Sequence, residues 1–380
     1  MDFDLFQFGN GYPWVAIGLC LACIVLLIQL FYFFFLFIRV SLFKISREKK
    51  TTEPVSVVIC SKNEFDNLSQ NLERVLSQDY PNFQVVVVND CSWDDTESFL
   101  EELSVKHKNL KVVTIKEQEK YRHGKKFALS LGIKAAEHEL LLFTDADCYP
   151  ATDNWITEMV SGYSSDTEIV IGYGAYERGP GLLNYIIRYD TIVNAIHYLS
   201  FALSGIPYMG VGRNLSYKKE LFFKNKGFAS HFHILSGDDD LFINETATSH
   251  NSSVVLSPDS YTMSMPKKTW KEWFKQKKRH LTTGVNYKLK HRVLIGGFYF
   301  SQFVFYSSLI GLLIMNFNIQ LVIALYLIRL CCQMLVFGLG MKKLYALELM
   351  FFIPLLDILL MILYGLLSVA NLLKKDKNWK

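Results

Sequence analysis

Residues 140–147 read LLLFTDAD, in which four apolar residues are followed by Thr144, Asp145, Ala146 and Asp147. A short, continuous apolar run is typical of a strand that is buried on both faces of a parallel sheet. Two carboxylates one residue apart therefore emerge together where a buried strand ends. Carboxylate oxygens in this number suit Mg²⁺ or Mn²⁺. The stretch predicts an α/β sheet with a metal-binding acidic pair at its edge.

Strand and helix signals alternate before this strand. The predicted strands are 55–60, 84–89, 111–115 and 139–144, and the predicted helices are 64–78, 96–106 and one that begins near Gly124. This alternation predicts a doubly wound α/β sheet. Such sheets bind ligands beyond the carboxyl ends of their strands, where the winding reverses. Polar residues at the strand ends are therefore the candidates for a functional site.

Two of the loops after predicted strands are rich in acids and amides. The first contains Asn63 and Glu64, and the second contains Asp90, Ser92 and the acidic pair at 94–95. A carboxylate there can accept hydrogen bonds from a base or a ribose, and a helix amino terminus can hold phosphate. For the acidic pair, capping of the following helix is an equally good interpretation.

Two further candidates lie downstream. Lys125 stands where a helix begins after a polar loop, which suits contact with a pyrophosphate, although a solvated charge is the alternative. Residues 235–242 read LSGDDDLF. Three adjacent carboxylates repel one another, which raises the pKa of at least one and suits a general base. In the alternative interpretation, Asp238 and Asp239 stand at a helix amino terminus and interact with its dipole.

Residues 267–280 combine three large aromatic side chains with seven lysine and arginine residues. An amphipathic stretch of this kind is typical of a helix on a membrane surface. Gln276 and Arg279 lie three residues apart, so both side chains can also reach a pyrophosphate from one helix face.

Apolar stretches flank this region. Residues 14–38 and 293–315 contain no charged residue and are long enough to cross a bilayer, whereas 319–340 contains Arg329 and 349–372 contains Pro354 and Asp357. A buried charge is usually paired, so we expect Arg329 to pair with Asp357 rather than to reach the membrane surface. The expected organisation is an amino-terminal anchor (1–45), a catalytic domain (46–287) and a membrane or interfacial region (288–380).

The distribution of lysine and arginine residues predicts the orientation of the chain in the membrane. Basic residues follow the first span at 39, 44, 47, 49 and 50, which places the middle of the chain in the cytoplasm. Four crossings would put the basic tail at 374–380 outside, which the same rule disfavours. One carboxy-terminal segment is therefore expected to be re-entrant or interfacial, with Pro354 and Asp357 at its interruption. The net charge is only +4, so no nucleic-acid partner is indicated.

Seven motifs in this order resemble the inverting family 2 glycosyltransferases, which have the glycosyltransferase A fold. They are VSVVICSKNE (55–64), VVVVNDCSWDD (85–95), HGKKFAL (123–129), FTDAD (143–147), GVGRNLSYKK (210–219), SGDDDL (236–241) and QKKRH (276–280). The resemblance covers about residues 54–285. It implies a mixed sheet, a nucleotide-sugar donor with uridine as the default nucleoside, and a membrane-anchored bacterial type in the inner membrane.

The resemblance also implies roles for single residues. Asp90 would contact the nucleotide base, Lys125 the donor phosphates, Asp145 the donor sugar or nucleotide, and Asp147 the metal. An aspartate of SGDDDL would be the catalytic base, and alignment of the family's Glu-Asp pair selects Asp238 or Asp239, with Asp238 favoured. The other donor-binding candidates are Asn63, Glu64, Ser92, Gln276, Arg279 and His280.

One departure from the family pattern concerns the acceptor. The family's Gln-x-x-Arg-Trp element ends here in His280, so the aromatic residue that stacks near the acceptor of polymer synthases is absent. Processive polysaccharide synthesis is therefore less favoured than transfer to a lipid or a lipid-linked glycan. A nucleotidyltransferase or a non-catalytic membrane binding protein would be the alternatives from other classes. The first is disfavoured because no glycine-rich phosphate loop follows the first strand.

Overall fold

The computed structural model describes residues 13–44, 52–116 and 124–373, with side chains up to residue 370. His123, the basic residues at 47–50 and the tail beyond 373 lie outside these ranges. The strands are β1 Val55–Ser61, β2 Phe83–Asp90, β3 Leu110–Ile115, β4 Leu140–Phe143, β5 Cys148–Pro150, β6 Ile169–Ile171, β7 Gly174–Tyr176, β8 Leu215–Lys218, β9 Ser252–Val254 and β10 Thr262–Ser264.

Helices alternate with these strands and flank them. They are α1 Pro13–Phe31, α2 Arg39–Leu42, α3 Phe65–Leu76, α4 Thr96–Lys106, α5 Lys125–Ala135, α6 Trp155–Val160, α7 Leu182–Leu203, α8 Lys219–Lys224, α9 Asp240–Thr246, α10 Trp270–His280, α11 Leu289–Ile314, α12 Ile319–Lys343 and α13 Ile353–Leu373. A π-helical turn, Tyr32–Phe37, joins α1 to α2, and a 3₁₀ turn, Leu347–Phe352, precedes α13.

The main sheet has seven strands in the order β3-β2-β1-β4-β8-β6-β9. Strands β1 to β4 are parallel, whereas β8 runs antiparallel to both β4 and β6, so the sheet is mixed as expected. Register aligns Ser61 with Asn89 and Val58 with Phe143. The loops after β1, β2 and β4 consequently leave the sheet at one edge. A smaller sheet, β5-β10-β7, stands beside that edge.

Helices cover both faces of the main sheet. Val55, Val57 and Ile59 of β1 face a core that also contains Leu68 of α3 and Trp155 of α6. The opposite face, with Val58 and Val86, packs on α5 and α7. Each buried side chain of this size stabilises the fold by about 1.5–3 kcal/mol. Burial on both faces explains why these strands read as unbroken apolar runs.

Among the described residues, four helical stretches are long and apolar enough to cross a membrane: Pro13–Leu42, Leu289–Ile314, Ile319–Lys343 and Leu347–Ala370. Arg329 of α12 is buried and pairs with Asp357 of α13 at 3.1 Å, which confirms the predicted pairing. Its remaining nitrogens donate to Gln29, Tyr306 and Gln333. Four helices therefore contribute to one polar network among the apolar side chains.

The expected interruption at Pro354 and Asp357 is wrong. Pro354 is the second residue of α13, where a missing backbone N–H breaks no helical hydrogen bond, and Asp357 lies within the continuous helix. Further along α13, Tyr364 donates a hydrogen bond to Asp190 of α7. The same carboxylate pairs with Lys277 of α10. The second half of α13 thus lies beside α7 and α10.

Candidate active site

The loops after β1 and β2 are joined by side-chain hydrogen bonds. Ser92 Oγ accepts from the backbone N–H of Asn63 at 2.9 Å, and Asn63 Oδ1 accepts from the backbone N–H of Trp93 at 2.9 Å. Asn63 has a positive φ of 54°, a conformation that asparagine tolerates better than most residues. Two of the donor-binding candidates therefore also shape the loop pair. Asp90 is fully buried at the end of β2, beneath these loops.

Asp94 caps two helices. Its carboxylate accepts from the backbone N–H of Phe65, at the start of α3, and from that of Thr96, at the start of α4, at 3.2 Å each. Partial burial opposes ionisation, but these hydrogen bonds lower the pKa of Asp94 below its ordinary value. The capping interpretation thus holds for Asp94. Glu64 accepts from the side-chain amide of Asn67, also in α3.

Lys125, the first residue of α5, brings distant acids together. Its ammonium lies 2.9 Å from Asp145 Oδ1 and 2.8 Å from Asp238 Oδ2. Burial alone would lower the pKa of Lys125, but Asp145, Asp238 and Asp239 raise it well above its ordinary value. Lys125 therefore stays charged. The predicted convergence of the β4 acids and the triple-aspartate segment at one edge is observed.

Asp145, Asp147 and Cys148 form a compact group whose potential ligand atoms lie within 4.8 Å of one another. Burial raises the pKa of Asp147, as does the neighbouring Asp145 carboxylate, while Lys267, 3.6 Å away, opposes the shift. Burial also raises the pKa of the Cys148 thiol, and a soft sulfur ligand suits Mg²⁺ or Mn²⁺ less well than a carboxylate oxygen does. The two carboxylates, which repel each other, fit a hard divalent cation.

The triple-aspartate segment divides into three environments. Asp238 is buried against Lys125. Asp239 is the N-cap of α9 and accepts from the backbone N–H groups of Gly212 and Asp240 at 2.7 Å. Burial, and then the charges of Asp238 and Asp240, raise the pKa of Asp239 to about 7. Asp239 thus caps α9, and its pKa lies near neutral pH.

Asp240 faces away from Lys125. Its carboxylate accepts from the hydroxyls of Thr283 and Tyr287, just before α11, and from the backbone N–H of Leu241. Burial raises the pKa of Asp240. These contacts connect α9 to the start of a candidate membrane span, so Asp240 has a structural role.

Helix α10 lies beside the site. It begins with the capping box of Thr269 and Glu272. Gln276 donates to the Tyr176 hydroxyl at 3.3 Å, and the charge of Arg279 helps to lower the pKa of Asp145 against the effect of burial. His280, at the end of the helix, is exposed.

Two basic residues were missed among the candidates. Arg213, in the GVGRN motif, lies 4.4 Å above the Tyr176 ring and also favours ionisation of Asp145. The sequence carried a signal for Arg213, because glycines at 210 and 212 allow this segment of backbone to approach a ligand closely. Lys126 is buried and donates to the carbonyl oxygens of His231 and Ile234 at 2.6 and 3.0 Å, which anchors the loop before the triple aspartate. Nothing in the sequence separates it from an exposed lysine.

Comparison with known proteins agrees with this geometry. Residues 56–233 match the family model described as glycosyl transferase family 2. The chain carries a family 2 glycosyltransferase domain. A mannosyltransferase from Pyrobaculum calidifontis, solved with GDP-mannose and Mn²⁺, superimposes on this chain with a TM-score of 0.62 at 17% identity, over 96% of this chain and 100% of that one. The likeness confirms the predicted glycosyltransferase A fold.

Curated relatives match the chain over shorter segments. Glycosyltransferase AglE of Haloferax volcanii is 31% identical over 37% of this chain and 45% of its own length. An Escherichia coli UDP-Glc:α-D-GlcNAc-diphosphoundecaprenol β-1,3-glucosyltransferase is 26% identical over 43% of this chain and 57% of its own length. A poly-β-1,6-N-acetyl-D-glucosamine synthase of Staphylococcus epidermidis is 32% identical over 30% and 27%. The chain thus spans about half or less of the length of these curated relatives.

Proposed function

We propose that this protein moves a sugar from a UDP-linked nucleotide-sugar to a hydroxyl of a lipid or lipid-linked glycan, with inversion at the anomeric carbon. The observation that carries the proposal is the Lys125 ammonium between Asp145 and Asp238. It joins the edge of the sheet where a donor would bind to the segment that would hold the catalytic base. Asp147 lies two residues from one of these partners.

The donor would occupy the edge formed by the loops after β1, β2 and β4. Asp90, with Asn63, Glu64 and Ser92 above it, would face the nucleoside. Lys125, Gln276, Arg279 and His280 would lie along the diphosphate and the sugar. The buried cation Lys125 would stabilise negative charge on the departing nucleoside diphosphate more strongly than an exposed lysine does.

Asp147, with Asp145, would hold Mg²⁺ or Mn²⁺. A bound cation would supply positive charge to the donor phosphates. The raised pKa of Asp147 supports this assignment, because two carboxylates that repel each other in a buried position gain from a cation between them.

Asp239 is the better candidate for the base. Its carboxylate is partly exposed and its pKa is about 7, near the optimum for a group that takes a proton at neutral pH. Asp238 is more buried, and its carboxylate is held in an ion pair with Lys125. Asp239 would remove the proton of the acceptor hydroxyl on the face of the sugar opposite the leaving group.

The acceptor would approach from the membrane. Helix α10 has an aromatic and basic surface beside the site, and α13 packs against it. Lys342 and Lys343 end α12 on the same side as the catalytic region, as a cytoplasmic placement of residues 46–287 requires. We propose a bacterial inner-membrane protein in which α13 lies in the interface, which would resolve the position of the basic tail.

A processive synthase is the second candidate, because two relatives are named as poly-β-1,6-N-acetyl-D-glucosamine synthases. His280 in place of the aromatic residue, and a small set of candidate spans, favour a single transfer.

A donor screen tests the proposal. Radiolabelled nucleotide sugars are incubated with the full-length protein in membrane extract and Mn²⁺, with Asp147→Ala as the blank. We expect a lipid-extractable product of one size and release of nucleoside diphosphate. Release of pyrophosphate would indicate a nucleotidyltransferase, and a ladder of product lengths would indicate processive synthesis. Equal glycosylation of soluble acceptors would contradict the lipid assignment, and a lack of any turnover would contradict the catalytic one.

A further inference from the structure

A second cavity lies between the catalytic region and the carboxy-terminal helices. It is about 90 Å³ in volume, which accommodates several water-sized groups. Its walls come from the small sheet, from α7 and from the turn between α12 and α13. The polar and aromatic residues around it are Tyr173, Tyr176, Arg178, Arg188, Tyr261 and Tyr345.

Two arginines in this cavity share one carboxylate. Arg188 is buried and pairs with Glu348 Oε1, and Arg178 lies 3.0 Å from Glu348 Oε2. Arg178 also donates to the carbonyl oxygen of Tyr345 at 3.4 Å. Two guanidinium groups against a single carboxylate leave one positive charge. Guanidinium groups match the oxygens of a phosphate in charge and geometry.

The cavity adjoins the active site through one side chain. Tyr176 lines the cavity, accepts a hydrogen bond from Gln276 and stacks under Arg213. On its other side the cavity meets Leu344 and Tyr345, at the end of a candidate membrane span. A ligand here would reach both the membrane and the donor edge of the sheet.

We propose that this cavity binds the phosphate of a lipid-linked acceptor. Arg178 and Arg188 would hold the phosphate oxygens, and Glu348 would be the internal anion that the phosphate displaces. The acceptor's sugar would then extend past Tyr176 towards Asp239. This inference rests on the proposed function, because it assigns a binding site to the acceptor class named there.

Binding of a prenyl diphosphate tests the site. The full-length protein is placed in phosphatidylcholine nanodiscs, and equilibrium binding of radiolabelled farnesyl diphosphate is measured, with farnesol as the uncharged competitor. We expect competition by unlabelled farnesyl diphosphate and little by farnesol. Arg188→Gln and Arg178→Gln should weaken binding at least tenfold. Glu348→Gln should strengthen it, because the competing carboxylate is removed.

Arg292→Gln is the matched control, since Arg292 is exposed at the start of α11 and loses the same charge. Its farnesyl diphosphate affinity should stay within twofold of the wild type. If Arg188→Gln does not fold, the Glu348→Gln variant still tests the inference. Farnesyl diphosphate binding by Glu348→Gln that is unchanged or weaker overturns it.

Two other outcomes also overturn it. One is unchanged affinity in both arginine variants. The other is loss of farnesyl diphosphate binding in nanodiscs that contain phosphatidylglycerol, which would identify a site for an ordinary anionic headgroup. Binding of nucleoside diphosphates and turnover of nucleotide sugars are measured on the same samples. If the wild type neither binds nucleoside diphosphates nor turns over nucleotide sugars, the proposed function is contradicted. If it does both, but farnesyl diphosphate binding does not depend on the two arginines, only the proposed cavity site is contradicted.

Discussion

The protein holds charged side chains in two clusters, and the clusters differ in how completely hydrogen bonds and opposite charges compensate them. Among the candidate membrane spans, every nitrogen of the Arg329 guanidinium donates a hydrogen bond, and both oxygens of Asp357 accept at least one. At the active site, Asp145 and Asp238 share Lys125, while the pKa values of Asp147 and Asp239 are raised. The Arg329 cluster is internally compensated, whereas in the other cluster the carboxylates of Asp145, Asp147 and Asp238 outnumber the two lysines that pair with them.

The difference distinguishes a cluster that supports the fold from a cluster that suits a functional site. A charge buried among apolar side chains is tolerated when its partners satisfy it completely, as Arg329 is. An excess of carboxylates destabilises the free protein and is relieved by a cation or a proton, which is the property that a metal site and a general base need. Substitutions in the two clusters should therefore have opposite effects on stability.

The largest effect is expected for Asp239→Asn. Removal of a general base should lower the rate of transfer by about 10² to 10⁴. Asparagine caps helices as well as aspartate does, so α9 should persist. Because the pKa of Asp239 is raised to about 7, the native state still holds a proton between about pH 4 and pH 7 that the unfolded chain has already released. The stability of the fold therefore falls as the pH rises through this range, and above it the charged carboxylate opposes folding.

The Asp239→Asn protein should consequently have a higher Tm than the wild type at pH 8. Nucleoside diphosphate release and thermal unfolding are measured on the same preparation. Asp238→Asn is the comparison variant. If it abolishes transfer while Asp239→Asn keeps more than a tenth of the rate, Asp238 is the base.

Arg329→Met should destabilise the protein by about 3 kcal/mol, because it leaves Asp357 buried without its counter-charge. Adding Asp357→Leu should recover much of this loss. Thermal unfolding in nanodiscs of the two single variants and the double variant measures the coupling. Strictly additive losses would show that the pair contributes nothing as a pair.

The pH dependence is the next largest effect. The Asp239 carboxylate must be ionised to accept a proton, so kcat/KM should be highest above pH 7 and fall about tenfold for each pH unit below it. The profile is measured at constant Mn²⁺ and ionic strength. A rate that does not change between pH 5 and 8 would argue against Asp239.

Asp94→Ala should have the smallest effect, about 1 kcal/mol in the free energy of unfolding, because it removes a cap from α3 and α4. The lowered pKa of Asp94 means that its contribution is present above the unfolded pKa and lost as the pH falls through the folded one. Asp94→Asn, measured in parallel, should keep most of the stability. An alanine variant as stable as the wild type would contradict the capping role.

The strands and the acidic edge could be predicted because local patterns decide them. Buried parallel strands require continuous apolar runs, and the predicted helix at 96–106 has the observed bounds of α4. The pairing of Arg329 with Asp357 was predictable from the cost of an unpaired charge. For each of these features, the local sequence is compatible with few alternative structures.

Other features depend on tertiary contacts that no local pattern records. The antiparallel strand β8 inserts between β4 and β6, and the small sheet pairs residues more than 80 positions apart, such as Tyr176 with Ser264. Lys126 is buried only because the loop before the triple aspartate folds over it. The interruption predicted at Pro354 failed because a proline in the first turn starts a helix rather than breaking it.

Helix α7 carries a practical consequence. Fifteen of its residues are buried, and the same apolar core contains Phe33 and Phe37 beside the first span, Val58 and Val86 of the sheet and Phe337 of α12. Excision of residues 46–287 as a water-soluble fragment would remove the side chains of the first span and of α12 from that core and expose the apolar surface of α7. Such a fragment should be recovered as aggregates, and detergent or a lipid disc will be needed for any preparation intended for crystals or assays.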